Sequence, residues 1–430
     1  MNRHFPLLIA LIAFTSLQGA EIPKWERFRG PNGSGVDASR ELPVKWAESN
    51  FEWKTKIPGQ GHGSPVIWGD HIFLLSAVAD QVSEENGSKN RKKKKGQPAL
   101  PYQWVAIAVS RNSGEIVWQK KFPARKFKGH RFNSPASSTA AVNAERVVFS
   151  WGTADQLTLV SLSHEGELHW QKDMGPVSGG HGFGASPILY KDLVILNNDQ
   201  EKGAGNLFAL RAENGELVWT VPRKSQRISY SVPCIYQENL VFVNWQHGFT
   251  AIQPETGAVI DDKSVFNLDT NERAISSPVV VGETVIGTCG FTANPKHCVA
   301  MRLMENKWQE IWRIEKNVPH IPSVVAVGDR VFLWDDAGIA SCIEAASGKQ
   351  VWKERLPNIE GTCFGSPVSD GKHIFCADVS GNIHVIAASE NFSYLATNPL
   401  GESCKTTPAI ADGKMYIRTE TTLHAVSPGT

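Results

Sequence analysis

Between Ser186 and Trp219 the chain carries four short apolar runs: Ser186-Pro187-Ile188-Leu189, Leu193-Val194-Ile195-Leu196, Leu207-Phe208-Ala209-Leu210 and Gly215-Glu216-Leu217-Val218-Trp219. Turn residues separate them. Each run is too short for a stable helix and rich enough in branched residues for a strand. Such a unit cannot bury both faces of its sheet alone, so a chain that repeats it must stack the copies.

The unit does repeat. Its first strand opens at Ser64-Pro65, Thr139-Ala140, Ser186-Pro187, Val232-Pro233, Ser277-Pro278, Ser323-Val324, Ser366-Pro367 and Thr407-Pro408, and an apolar pair begins seven residues after the second member of each. After the first unit the spacing is 41 to 47 residues, the length of four strands with their turns and the period of propeller blades. The last strand of a unit usually closes on tryptophan, as in Gly114-Glu115-Ile116-Val117-Trp118, Gly166-Glu167-Leu168-His169-Trp170, Glu310-Ile311-Trp312 and Gly348-Lys349-Gln350-Val351-Trp352. A large flat ring of this kind fills the wedge between neighbouring blades.

The eighth unit stops at Leu423-His424-Ala425-Val426, one strand short, while Phe51-Glu52-Trp53-Lys54-Thr55-Lys56 is a strand with no unit of its own. Giving that strand to the last blade closes the ring and removes its open edges. The expected fold is therefore all-β, an eight-bladed propeller of four-stranded antiparallel blades closed by an N-terminal strand. A seven-bladed ring with an appendage is the alternative.

Residues 1–20 have the layout of a cleaved secretory signal, with Arg3 and His4 before an apolar run and a small-residue close. The close lacks the cysteine that a lipid-anchored protein would need, so a soluble periplasmic or secreted protein is expected. Residues 21–45 read as a wrapped loop, because Phe28-Arg29-Gly30-Pro31-Asn32-Gly33-Ser34-Gly35 suits no regular element. One propeller domain then fills 46–430, interrupted at about 80–101 by a polar insertion. Its lysines Lys92, Lys93, Lys94 and Lys95 are candidates to touch anionic surfaces, although a solvated tether is the simpler reading. A net charge of +1 argues against duplex nucleic acid, and no later apolar run is long enough to span a membrane.

The Ser-Pro and Gly-Glu-x-x-Trp repeat resembles the pyrroloquinoline-quinone-type propeller repeat, a family that includes quinoprotein alcohol dehydrogenases and the outer-membrane assembly factor BamB. The resemblance covers nearly the whole chain after the signal. It implies an eight-bladed ring and leaves function open. Enzymes of the family place an adjacent cysteine pair against their quinone, and no Cys-Cys or Cys-x-x-Cys-His occurs here. No cofactor is expected, and an exported propeller without chemistry of its own is the primary reading, a binding or scaffold module for a protein partner or a polar or anionic ligand. A polysaccharide-acting hydrolase or lyase is the alternative, and a quinone-dependent dehydrogenase comes last. No Gly-x-Ser-x-Gly, His-Glu-x-x-His or phosphate loop supports an enzyme.

In such a ring the loops entering the first strands share a face with the loops between second and third strands, where ligands of propellers sit. Seven of the eight entry loops offer a base: His62, His130 with Arg131, His181, Arg227, Arg273, His320 and Lys405. The other loops hold Trp151, Trp245, Trp334, Asn197, Asn198, Asp199, Asp335, Asp336 and Asp378. Stacking on a flat polar ligand is one use of these tryptophans, and packing beneath Asn and Asp turns is the simpler one. Two cysteine readings complete the expectations. Cys289 and Cys298 flank a hairpin loop and are a candidate disulfide. His320, Cys363 and Cys404 stand at equivalent positions of three consecutive units and form a metal-ligand set, weighed against two inert thiols or a Cys363–Cys404 bridge.

Overall fold

The computed structural model describes residues 22–80, 100–127, 129–201, 203–270, 272–291 and 296–429; the expected signal and the basic insertion lie outside them. Eight antiparallel sheets form the ring, seven of four strands and one of six. Blade three, the unit with which the repeat was defined, is Ile188–Tyr190, Leu193–Asn198, Gly203–Arg211 and Leu217–Ser225, hydrogen-bonded in that order. The other blades follow the same order, each counted from its Ser-Pro equivalent.

Burial explains the two kinds of apolar run. Second strands such as Val147–Gly152, Leu193–Asn198 and Thr284–Cys289 are buried at every position, because each lies between two neighbouring blades. Outer strands such as Ile116–Lys121 alternate. Between the third and fourth strands every blade carries a register shift, as where Trp219 opposes Ala209 but Leu217 opposes Leu210. The extra residue turns the following side chain inward.

That side chain is the tryptophan that locks one blade to the next. Trp118, Trp170, Trp219, Trp312 and Trp352 donate their indole N–H to the carbonyls of His164, Ala212, Pro254, Ala345 and Ser389 at 2.7–3.0 Å, each in the following blade. The glycine of the following blade's Gly-Glu motif lies flat on the ring. At Gly215 a Cβ would come within 2.8 Å of Trp170, and its φ of 71° is one that other residues avoid. Blade four has Asp261 in the tryptophan's place, where it accepts the Trp308 backbone N–H of blade five at 2.8 Å and the Lys307 ammonium at 2.9 Å.

The ring closes as expected. Phe51–Lys56 pairs antiparallel with Thr422–Val426 and completes the eighth blade. It also brings the missing tryptophan, since Trp53 donates to the Arg111 carbonyl of blade one at 3.1 Å beneath Gly114.

A second belt runs around the channel. The backbone N–H of each first-strand anchor donates to the anchor hydroxyl of the next blade: Ser64 to Thr139, Thr139 to Ser186, Val232 to Ser277, Ser277 to Ser323, Ser323 to Ser366, Ser366 to Thr407 and Thr407 to Ser64, at 2.9–3.2 Å. Only the step from Ser186 is missing, because valine at 232 has no hydroxyl.

Residues 22–46 cross the end of the channel at the turns between first and second strands. Trp25 pairs with Ile67 of blade one, and the Glu26 carbonyl accepts from Val142 of blade two at 2.8 Å. Arg27 donates to the Pro233 carbonyl, and Asn32 exchanges two bonds with Ile235, both in blade four. Arg29 reaches the Pro367 carbonyl at 3.2 Å, and Gly35 and Asp37 bond Ser369 of blade seven. Both arginines are buried and form no ion pair among the described residues, and desolvation pushes them down to about 10 and about 9. They stay charged at neutral pH, held by carbonyl oxygens.

Candidate functional site: the open face of the channel

At the opposite end the entry loops of blades three, four and five surround a cavity of about 520 Å³ lined by Ser178, Gly179, Gly180, His181, Glu201, Arg227 and Arg273. Glu201, from the turn between the second and third strands of blade three, organises it. One carboxylate oxygen accepts the Gly180 N–H at 2.7 Å, and the other meets Arg227 at 2.6 Å and Arg273 at 3.5 Å. Burial alone would raise its pKa, but the Gly180 N–H and the two guanidinium groups more than offset this and hold it below the usual carboxylate range. Among the lining residues two guanidinium groups face one carboxylate. Arg273 also lies over the Phe291 ring at 5.4 Å.

His181 packs against His130 with ring centres 4.3 Å apart and the rings tilted by 41°. Burial, then Arg273 and His130, push His181 down to about 4; burial, then Arg131 and Arg273, lower His130. Both imidazoles are therefore neutral at pH 7. Tyr230 forms the wall toward the channel and donates its hydroxyl to the Gly182 carbonyl at 2.9 Å.

His62 and Lys405 line a separate, narrower cavity of about 120 Å³ in the channel itself, with Phe28 of the crossing segment on its wall. Burial, then Lys405 and Arg418, push His62 down to about 3. Phe364 lines the same cavity, and the exposed Phe132 leans on it at 5.5 Å with the Arg131 guanidinium over the Phe132 ring at 4.6 Å.

Several expectations are corrected. Trp151, Trp245 and Trp334 are buried between blades, Trp151 stacked on Trp104 at 5.8 Å, and none of them faces a ligand cavity. They lie at or just past the ends of second strands whose side chains are almost all enclosed. Asp335 caps its own turn through the N–H groups of Ala337 and Ile339, and Asp378 holds His384, Asn382 and the Glu360 N–H. His320 is buried beside Asp336, which also accepts two backbone N–H groups and the Lys296 ammonium, so it adds little free positive charge.

The cysteine readings fail for reasons of register and distance. Cys298 opposes Thr288, one residue from Cys289, so the two thiols point to opposite faces of blade five, and both are free. Cys363 packs between blades six and seven, and Cys404 packs in the core of blades seven, eight and one. Neither is bonded, and among the described residues no group of three His, Cys, Asp or Glu could hold a metal.

Glu201, Gly180, Tyr230, Phe132 and Phe364 were missed. Glu201 lies between the second and third strands of blade three, not in the first-strand entry loops that carry the expected bases. Its spacing from Asn197-Asn198-Asp199 was the available signal.

The profile of the family described as outer membrane protein assembly factor BamB matches residues 102–354 and 299–430. The chain belongs to the BamB family. BamB of Burkholderia pseudomallei (strain K96243) is 20% identical over 368 residues, covering 83% of this chain and 81% of that protein. BamB from Moraxella catarrhalis superposes with a TM-score of 0.57 at 13% identity, covering 83% of this chain and 97% of that one. Quinohemoprotein alcohol dehydrogenase from Comamonas testosteroni gives 0.62 at 11% identity, covering 95% and 82%. These likenesses show the fold. A quinone does not fit the residues present: no two cysteines are adjacent, and no tryptophan lines either cavity. No helix among the described residues is long and apolar enough to cross a membrane.

Proposed function

We propose that this BamB-family propeller is an exported binding or scaffold module that works through its open face. Its ligand is an anionic group, most simply a carboxylate presented by a protein partner or by a small polar molecule. The observation that carries this reading is the pocket in which Arg227 and Arg273 converge on Glu201, an excess of guanidinium beside the Gly179 and Gly180 backbone in an open cavity. The names of the BamB relatives support an assembly role.

The test is titration calorimetry with acidic peptides and with di- and tricarboxylates at fixed ionic strength, comparing the parent with Arg227→Ala and Arg273→Ala. Each substitution should weaken binding about tenfold, the scale of one charge-assisted contact, while Glu201 keeps its other arginine and the fold. Binding that neither variant changes would remove the pocket from the function. Turnover of polysaccharides or of alcohols with added quinone, abolished by either variant, would replace the scaffold reading with an enzymatic one.

A further inference from the structure

The hydroxyl belt around the channel has donors to spare. Each anchor hydroxyl oxygen accepts a backbone N–H from the preceding blade, which leaves its own hydrogen to donate. Among the described residues none of these hydroxyls donates to a protein acceptor. Six of them, Ser64, Thr139, Ser186, Ser323, Ser366 and Thr407, line the 120 Å³ cavity. The Ser186 N–H, left without a hydroxyl by Val232, belongs to the same belt.

The charge of the cavity has one sign. Lys405 lines it with no ion pair among the described residues, and no carboxylate is among the lining residues. Glu402, three residues before the lysine, is occupied by Lys56, Thr419 and Thr421. Arg418 lies fully buried behind, bonded to the Leu75 carbonyl and the Ser76 hydroxyl. His62 is neutral and faces the same space.

We infer that the channel is a binding site for a small oxyanion, held by the Lys405 ammonium and by the hydroxyl hydrogens of the belt. A tetrahedral inorganic anion, phosphate or sulfate, is the ligand class. Hydroxyl donors without a protein acceptor, and a half-buried ammonium group in a cavity without a carboxylate, together favour an anion with several acceptor oxygens. The volume admits about four water molecules at 30 Å³ each, which suits a tetrahedral oxyanion. This site shares no residue with the Arg227–Arg273 pocket, so it stands whether or not that pocket binds a carboxylate.

The probe is sulfate, with selenate as its anomalous-scattering equivalent, against chloride at equal ionic strength. Sulfate should bind the full-length protein and raise its melting temperature, and selenate should appear in crystals beside Lys405 inside the hydroxyl belt. Lys405→Met should weaken sulfate about tenfold or more, whereas Lys405→Arg should retain most of it. Arg273→Ala should leave it unchanged. Selenate found only between Arg227 and Arg273, no sulfate binding by the parent, or equal sulfate affinity in the parent and Lys405→Met would each overturn the inference. Selenate location in the parent protein decides the matter even if Lys405→Met does not fold.

Discussion

The two ends of the channel use buried arginine in opposite ways. At the crossed end the buried Arg27 and Arg29 are tied to the carbonyls of Pro233 and Pro367, with no ion pair among the described residues. At the open end Arg227 and Arg273 share Glu201 at the wall of a 520 Å³ cavity. The first pair joins distant blades, since a guanidinium group satisfied by main-chain oxygen holds strands that never pair. The second pair keeps its charge where a ligand can reach it. Charge alone therefore does not mark a functional residue in this ring; the kind of partner and the adjoining space do.

The largest expected effect lies at the crossed end. Trp25, fully buried beside Ile67, should cost about 3–5 kcal/mol when replaced by alanine, measured by urea unfolding. A loss no larger than that of Arg227→Ala would erase the contrast between the ends. Next comes Gly114→Ala, where a Cβ would stand 2.5 Å from the Trp53 ring at a φ of 75°; a loss of about 1–3 kcal/mol is expected. An unchanged midpoint would mean that the ring-closing tryptophan does not need its glycine.

A pH profile sharpens the same comparison. His62 at the open end titrates at about 3 in the fold against 6.5 in a free chain. Below pH 6.5 the unfolded chain takes up a proton that the fold refuses, so stability is full above pH 6.5 and falls as the pH drops toward 3. His62→Gln should flatten this acid slope between pH 6.5 and 4 in melting scans. An identical slope would mean that His62 protonates without leaving the channel. Smallest of all, Arg131→Ala at the exposed rim should change stability by less than about 0.5 kcal/mol.

Much of the ring was legible because its physics is repeated. Second strands lie between blades and must be apolar on both sides, so Leu193-Val194-Ile195-Leu196 announces itself, and the unpaired Phe51–Lys56 pointed to the incomplete last blade. The hydroxyls of the belt stood in the anchor pairs, seven of eight of which begin with Ser or Thr, but their bonds run between blades and leave no local pattern. What failed depended on a single residue of register. Cys289 and Cys298 miss each other by one position, and the side on which Trp151, Trp245 and Trp334 end their strands follows from the same parity. The metal set failed because equal positions in consecutive units are a blade apart, and each thiol falls into its own inter-blade core.

Closure by Phe51–Lys56 sets a schedule for synthesis. Phe51 faces Val426, so a strand made early must wait for one made seven blades later. Until then the outer edge of that sheet does not exist, and Trp53 has only blade one to lean on through Arg111. Pairing so remote in sequence is slow to find and leaves apolar strands exposed in the interim. A chain stalled or cut before Thr422 would hold seven complete blades and an unclosed gap, and its stranded edges would be open to aggregation or to a holding chaperone. The Thr422–Val426 strand therefore acts as a check on closure, admitting the ring to its folded state only once that strand has been made.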